Sequence, residues 1–292
     1  MVLMAPKTLV RCARTILTSL PFVVALTLAE PLAANAQAAQ QAATQTPAAD
    51  TSNDPHAVHP DRPTVATNAT TIAPGWLEIE AGVEHDRFAS SAIGYTTPVL
   101  FKIGLTGRMA LGLFGAWSRP TPGIDGLGDT GALLKWRLFD DAPVLGDFAL
   151  LPSVKFPTGS ARSGTGTGTT DASLIAISSH AFGPVSVDFN LGYVRRSGDG
   201  LVAPTSASVW TVAGGGPVAG RLGWTLECYG YPGTGGPAGQ APIVATLGGP
   251  TFLVRPWLQL DAGAIVPLTG PQPHAFYAGA TYNVGRLWRQ RN

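Results

Sequence analysis

The chain has 292 residues, a formal net charge of +1 and only 13% charged residues, about half the fraction found in an ordinary soluble domain. This composition argues against a nucleic-acid-binding protein, which needs a basic surface. It also argues against a helical membrane protein, because only one N-terminal run approaches the ~18–20 apolar residues of a spanning helix.

The N-terminus has the three parts of a secretory signal peptide. Lys7, Arg11 and Arg14 precede a mostly apolar run at residues 16–29, and Ala34-Asn35-Ala36 supplies an A-x-A cleavage site. The apolar run is too short to span a membrane as an anchor. We predict that residues 1–36 are a signal peptide that directs the chain through the inner membrane.

Residues 37–72 are rich in Ala, Gln, Thr, Pro and Asp and contain almost no large apolar side chains. Such a segment cannot bury enough surface to offset the entropy lost on ordering. We predict a flexible periplasmic linker. The alternative is a plug that folds back into the domain that follows, and the sequence leaves both open.

From residue 73 to residue 285 the chain alternates apolar and small or polar residues with a period of two. Leu77 and Ile79, for example, alternate with Glu78 and Glu80, which places them on opposite faces of a strand. Five segments alternate clearly and begin at Trp76, Asp129, Val185, Leu222 and Trp257. Seven weaker ones begin near Pro98, Met109, Phe148, Asp171, Ser206, Ala245 and Ala275. The pattern predicts an all-β fold of about twelve strands, and residues 286–292 form a polar C-terminal tail.

The predicted connections alternate between long and short. Long ones follow the odd strands, as at residues 157–170, and most of those after even strands are tight, as at residues 183–184. Only residues 140–147 form a short-side connection that is not tight. Long loops at one rim and short turns at the other are typical of bacterial outer-membrane barrels. We therefore predict a transmembrane antiparallel up-and-down β-barrel in the cell outer membrane.

The two faces of the predicted strands support a membrane barrel over a soluble lipocalin-like barrel or sandwich. The non-apolar face is mainly Gly, Ser, Thr and Ala with one or two charges per strand, which suits a confined lumen better than a water-exposed surface. Aromatic residues fall near strand ends on the apolar face, as an interfacial girdle requires. They are Trp117, Trp136, Phe148, Tyr193 and Trp224. Trp76 and Trp257 lie on the lumen face, where the pattern does not explain them.

Five motifs occur in the order found in a known family. They are residues 61–84, which open with Asp-Arg-Pro, and residues 126–139, 151–160, 258–270 and 276–284. Together they resemble the outer-membrane transporter family named for the MetA pathway of phenol degradation. The resemblance implies a passive outer-membrane channel, often encoded beside genes for the catabolism of aromatic or other hydrophobic compounds.

Motifs for other kinds of chemistry are weak. Residues 126–131 match G-x-G-x-x-G, but a loop precedes them and a strand follows, which is not the context of a dinucleotide site. No pair of histidines has metal-ligand spacing. Ser178 shares a face with His180, two residues along a strand, and no third residue completes a catalytic triad. We predict no enzyme activity, no cofactor and no metal.

The strongest chemical pattern is a set of charges on the predicted inner face. The candidate channel-lining residues are Glu78, Glu80, Glu84, Lys102, Asp129, Lys135, Arg137, Lys155, Asp171, Asp188, Glu227 and Asp261. They could orient a passing solute, with the acids of the first strand facing the bases of the fourth and fifth. They could equally pair across strands and fill the barrel.

These observations predict a monomeric channel for the passive uptake of small molecules, aromatic or hydrophobic ones among them. Its expected partners are outer-membrane lipid and the small-molecule solute, with no nucleic acid. The alternative function is a filled, non-transporting outer-membrane barrel with a structural or adhesive role.

Overall fold

The computed structural model describes residues 54–88, 93–120, 125–199, 204–232 and 242–288. The predicted signal peptide, residues 37–53 of the predicted linker and residues 289–292 of the tail lie outside the described residues. The strands are β1 (Trp76–Arg87), β2 (Ile93–Thr106), β3 (Met109–Arg119), β4 (Gly126–Leu127), β5 (Thr130–Ala142), β6 (Gly146–Phe156), β7 (Asp171–Phe182), β8 (Val185–Arg196), β9 (Ser206–Ala219), β10 (Leu222–Tyr231), β11 (Ile243–Arg255), β12 (Leu258–Thr269) and β13 (His274–Arg286).

The twelve long strands form a closed antiparallel barrel in chain order. β1 pairs with both β2 and β13, so the sheet has no free edge between its first and last strands. The two-residue strand β4 pairs only with the end of β3. The predicted up-and-down barrel of about twelve strands is confirmed. Closure satisfies the backbone groups that a sheet edge leaves unpaired.

β2 begins at Ile93, five residues before its predicted start at Pro98. The pairing between β1 and β2 is interrupted between Ala81–Val99 and Glu84–Thr96, where Pro98 has no N–H to donate. Pro98 remains opposite Ala116 of β3, so the strand continues through it. The alternation of side chains could not show that β2 continues through Pro98. The continuation depends on pairing with β3, which keeps the strand extended where the pairing with β1 is interrupted.

The two rims of the barrel differ as predicted. The turns after β2, β7 and β9 have two residues each, and the turn after β5 has three. That turn is tighter than predicted because Asp141 and Val144 adopt positive φ angles of 48° and 70°. We call this end the short-turn rim, and the other, which includes residues 157–170 between β6 and β7, the long-loop rim.

The barrel presents an apolar face outward and a polar face inward. Leu113 and Leu191, on the outward face, are 55% and 67% exposed, whereas Glu78 and Glu227, on the inward face, are buried. Other exposed outward side chains are Leu111, Trp117, Trp136, Leu174, Phe189, Tyr193, Phe252, Leu260, Phe276 and Tyr282. This is the reverse of a soluble barrel, whose apolar side chains fill the interior. Among the described residues, no helix has the length and apolar character needed to cross a membrane.

Candidate functional site in the barrel lumen

Residues 54–75, which we call the plug segment, lie inside the barrel and are held there by their backbone. Glu78 Oε2 accepts a hydrogen bond from the N–H of His59 at 2.8 Å. The two oxygens of Glu80 accept from the N–H groups of Asp61 and Arg62 at 2.8 and 3.0 Å. A segment without regular secondary structure needs such partners for its buried backbone groups, and the carboxylates of β1 provide them.

The opposite wall of the lumen holds the next part of the plug segment in the same way. Glu227 of β10 accepts from the N–H groups of Val65 and Ala66 at 2.8 and 2.7 Å. Asn190 of β8 accepts from the N–H of Thr67 at 2.8 Å and donates to its carbonyl at 2.9 Å. The plug segment therefore crosses the lumen from β1 to β8 and β10.

Asp61 joins the plug segment to two lysines of the wall. Lys102 of β2 and Lys135 of β5 lie 3.0 and 2.6 Å from its carboxylate. Lys102 also contacts Glu78 at 2.9 Å and pairs with Glu80. Burial would raise the pKa of Asp61, but the two ammonium groups outweigh it and hold that pKa below its usual value. Asp61 is thus ionised and fixed at the centre of a buried charge network.

Arg62 is seated in a notch formed by two glycines. Gly82 of β1 and Gly279 of β13 face each other across the sheet, and a Cβ on either would overlap the Arg62 guanidinium. The guanidinium reaches past them to Asp261 of β12, at 3.2 Å. The absence of side chains at these two positions makes the ion pair possible.

His56 explains the two tryptophans on the lumen face. Its ring lies 4.9 Å from the ring centre of Trp76 and is stacked 6.0 Å from that of Trp257. His56 Nε2 is also 2.9 Å from the carbonyl oxygen of Asn283. Trp76 and Trp257 therefore bracket the start of the plug segment at the short-turn rim.

A second charged group lies near the long-loop rim. Lys155 Nζ is 2.7 Å from Asp129 and 3.2 Å from Asp171, and Arg196 Nη1 donates to the carbonyl of Pro204. Asp129 also accepts the N–H groups of Gly159 and Thr167. Burial would raise the pKa of Asp129, but these hydrogen bonds, that of Lys155 first, lower it. The glycine-rich stretch of residues 164–170 is thereby tied to the barrel through Asp129.

The structure divides the twelve predicted lining residues into groups. Six of them contact the plug segment or the lysine network around Asp61: Glu78, Glu80, Lys102, Lys135, Glu227 and Asp261. Asp129, Lys155 and Asp171 form the second group. Arg137 pairs with Asp140 and Asp147 at the short-turn rim, and Asp188 accepts a hydrogen bond from Ser179 Oγ. Glu84 is partly buried on β1.

The expected separation of acids on β1 from bases on β5 and β6 is not what the structure shows. Lys102 lies against the β1 acids, and Lys135 and Lys155 each contact a carboxylate. The alternation placed the charges on the inner face, but which charges meet depends on strand register and on the plug segment. Asp61 and Arg62 were missed as lumen residues because they lie outside the strands, and Asn190 because it carries no charge.

A cavity of about 410 Å³ lies in the lumen. The plug segment contributes Val65 to its lining, and that side chain is 37% exposed. The other lining residues are Phe114, Ser153, Lys155, Thr167, Asp171, Ser173, Ile175, Asn190, Val194, Arg196, Ala207, Ser208, Val209, Thr211 and Tyr231. The lumen thus holds both a bound segment of the chain and a space large enough for a small molecule.

The structure also shows where the remaining sequence motifs lie. Residues 126–131 run from β4 into β5. Ser178 Oγ lies 3.0 Å from His180 Nε2, closer than the sequence suggested, and also donates to the carbonyl of Leu145. Among the described residues, no three His, Cys, Asp or Glu side chains are placed to hold a metal ion.

Comparisons with known proteins support the fold. No protein-family model matches the chain, and no curated protein matches it, so the resemblance to the phenol-degradation family is not confirmed. Among solved structures, the chain is similar to an outer membrane channel from Pseudomonas putida F1, with 14% identity and a TM-score of 0.56 over 75% of this chain and 99% of that one. It is also similar to the KdgM porin, with 10% identity and a TM-score of 0.48 over 70% of this chain and 98% of that one.

Proposed function

We propose that this protein is an outer-membrane channel for the passive uptake of small molecules, exported with the help of its N-terminal signal peptide. The observation that carries the proposal is the closed barrel with an apolar outward face and a polar lumen. In lipid, only a closed barrel or a helix satisfies its own backbone hydrogen bonds. The Pseudomonas putida protein with this fold, described as an outer membrane channel, supports the same function.

The cavity supports a channel over a completely filled barrel. Its lining combines apolar side chains, such as Phe114 and Tyr231, with polar ones, such as Ser153 and Thr211. Sites for small molecules commonly combine apolar walls with a few placed polar groups. We extend the proposal to aromatic and hydrophobic solutes, because apolar side chains face this space and the motif resemblance implies them.

The plug segment favours the second candidate, a filled barrel without transport. Buried ion pairs and backbone hydrogen bonds hold residues 57–69 in place, and a rigid lumen of this kind would suit a structural role. The plug segment therefore determines how much of the lumen remains open.

Two measurements test the proposal on the full-length protein. Cell fractionation should recover it in the outer membrane, where it should resist extraction by high salt and by carbonate. Purified protein in planar lipid bilayers should give steady single-channel openings. Silent bilayers with correctly folded protein would support the filled barrel, and recovery in the soluble fraction would contradict both candidates.

A further inference from the structure

Two arginines meet at one carbonyl group on the short-turn rim. Arg221 lies in the turn between β9 and β10, and Arg255 is the last residue of β11. Their Nη1 atoms donate to the carbonyl oxygen of Val254 at 3.1 and 3.0 Å, so the two nitrogens can be no further apart than the sum of these distances. Both side chains are exposed. The rim therefore carries two neighbouring guanidinium groups that a ligand can reach.

A β-bulge and a backbone hydrogen bond hold this pair of arginines together. The register between β11 and β12 shifts between Leu253 and Arg255, so Val254 has no partner on β12. The N–H of Leu253 donates to the carbonyl of Arg221 at 2.9 Å, which ties the turn between β9 and β10 to the end of β11. Bulges at barrel rims commonly redirect side chains. The positions of the two guanidinium groups thus follow from backbone contacts.

The protein does not balance the charge of this pair. Among the described residues, no carboxylate lies within ion-pair distance of Arg221 or Arg255, whereas Arg108 and Arg137 on the same rim pair with Asp140. No Asp or Glu occurs in residues 206–226 or 242–260, which form most of the three strands around the pair. Two like charges held close together favour an anion that contacts both. The missing partner is therefore an external anion.

Apolar, lipid-facing side chains lie next to the two arginines. Leu222 of β10 and Phe252 of β11 are directly opposite each other and are 40% and 44% exposed. The short turns of bacterial outer-membrane barrels lie on the periplasmic side, at the level of the phospholipid headgroups of that leaflet. A phosphate group between Arg221 and Arg255 would place its acyl chains along Leu222 and Phe252.

We propose that Arg221 and Arg255 form a binding site for the phosphate of an anionic phospholipid, such as phosphatidylglycerol, in the periplasmic leaflet. Guanidinium groups bind phosphate oxygens through paired, charge-assisted hydrogen bonds. Arginines near an anionic leaflet also attract its headgroups. The site lies on the rim and takes a lipid, so the inference goes beyond the proposed function and requires only that the barrel lies in the outer membrane.

Native mass spectrometry of the full-length protein in detergent tests the site by counting the lipids bound during titration. The probes are phosphatidylglycerol and phosphatidylcholine, which share the glycerol phosphate and the acyl chains, but phosphatidylcholine adds a cation that cancels the charge. Phosphatidylglycerol should bind about fivefold or more tightly. Equal binding of the two lipids would overturn the proposal. Displacement of phosphatidylglycerol by an equal concentration of inorganic phosphate would also overturn it and would assign the arginines to a free anion.

Substitutions test whether these two arginines are the site. Arg221→Gln and Arg255→Gln should each weaken phosphatidylglycerol about fivefold. Arg255→Lys should weaken it less, because the charge remains while the paired N–H donors are lost. Arg108→Gln is the matched control, since Arg108 is exposed on the same rim and pairs with Asp140, and it should leave the affinity unchanged. Equal losses in all three glutamine variants, or no loss in any of them, would refute the site.

Conductance of the unsubstituted protein separates this inference from the proposed function. Silent bilayers combined with selective binding of phosphatidylglycerol would contradict transport and leave the lipid site standing. Channel openings without any preference between the two lipids would overturn the lipid site and leave the channel standing.

Discussion

Asp61 of the plug segment lies 2.6 Å from Lys135 of the barrel wall, and both side chains are largely buried. This contact connects a segment without regular secondary structure to a strand 74 residues further along the chain. Because Lys102 shares the same carboxylate, one residue of the plug segment balances charge from two strands. The lumen and the plug segment are therefore one electrostatic unit.

Removing the charge of Asp61 should loosen the plug segment. Asp61→Asn leaves Lys135 buried without an anionic partner from the plug segment, and breaking a buried ion pair costs about 3–5 kcal/mol of unfolding free energy. We expect a larger and more variable single-channel conductance and a lower resistance to chemical denaturation. Asp147→Asn is the control, since that residue pairs with Arg137 at the short-turn rim and should leave conductance unchanged.

The ionisation of Asp61 also sets a pH dependence. Its pKa is lowered in the folded protein, so its contribution to stability is complete above the unfolded value of about 3.9 and declines progressively as pH falls from there toward the lower folded value. The difference in conductance between the unsubstituted protein and Asp61→Asn should therefore be constant from pH 7 to about pH 4 and should narrow between pH 4 and pH 3. A difference that keeps its full size at pH 3 would contradict this role of Asp61.

The glycine notch predicts that a single methyl group can displace Arg62. In Gly279→Ala the new Cβ would overlap the guanidinium, which must then move away from Asp261. We expect the free energy of unfolding to fall by about 1–3 kcal/mol, as measured by denaturant unfolding of the refolded protein in detergent. Gly107→Ala is the matched control, because a Cβ there meets no atom within 4 Å. Equal effects of the two substitutions would show that the notch is not specific.

Glu227 accepts two backbone N–H groups of the plug segment with its two carboxylate oxygens. A glutamine at this position should therefore hold the plug segment less well. Glu227→Gln retains one acceptor oxygen but turns an NH₂ group toward Val65 or Ala66. An unmatched buried donor costs about 1–3 kcal/mol. We expect faster hydrogen exchange at residues 65 and 66, measured by mass spectrometry, with no change in exchange of the β-strands. Protection equal to that of the unsubstituted protein would remove Glu227 from its proposed role.

The stacking of His56 predicts an optical signal. In His56→Ala, Trp76 and Trp257 lose the ring between them, and water reaches them at the short-turn rim. Tryptophan fluorescence should shift to longer wavelength. His85→Ala, which removes a ring that packs edge-on against Tyr95, should give no shift. A shift of similar size in both variants would contradict the assignment.

Much of the barrel could be predicted from the alternation of residues. The starts of β3, β7, β8, β9 and β10 coincide with their predicted positions, and the inner face of β1 carries Glu78 and Glu80 as expected. The start of β2 was predicted at Pro98, five residues too late, because the sequence does not show that Pro98 interrupts the pairing with β1 and leaves the pairing with β3 intact. Residues 54–72 were predicted to be flexible because they contain few large apolar side chains. The partners that hold them lie on distant strands, which their own composition cannot show.

A period of two and the spacing of turn residues are local properties of the chain, and they predicted the closed sheet, its two unlike faces and its two unlike rims. Which charges meet follows from the three-dimensional arrangement, as do the backbone N–H groups bound by Glu80 and Glu227 and the room that Gly82 and Gly279 leave for Arg62. These contacts join residues far apart in sequence. Their partners are set by strand register and by the path of the plug segment, and neither leaves a periodic signal.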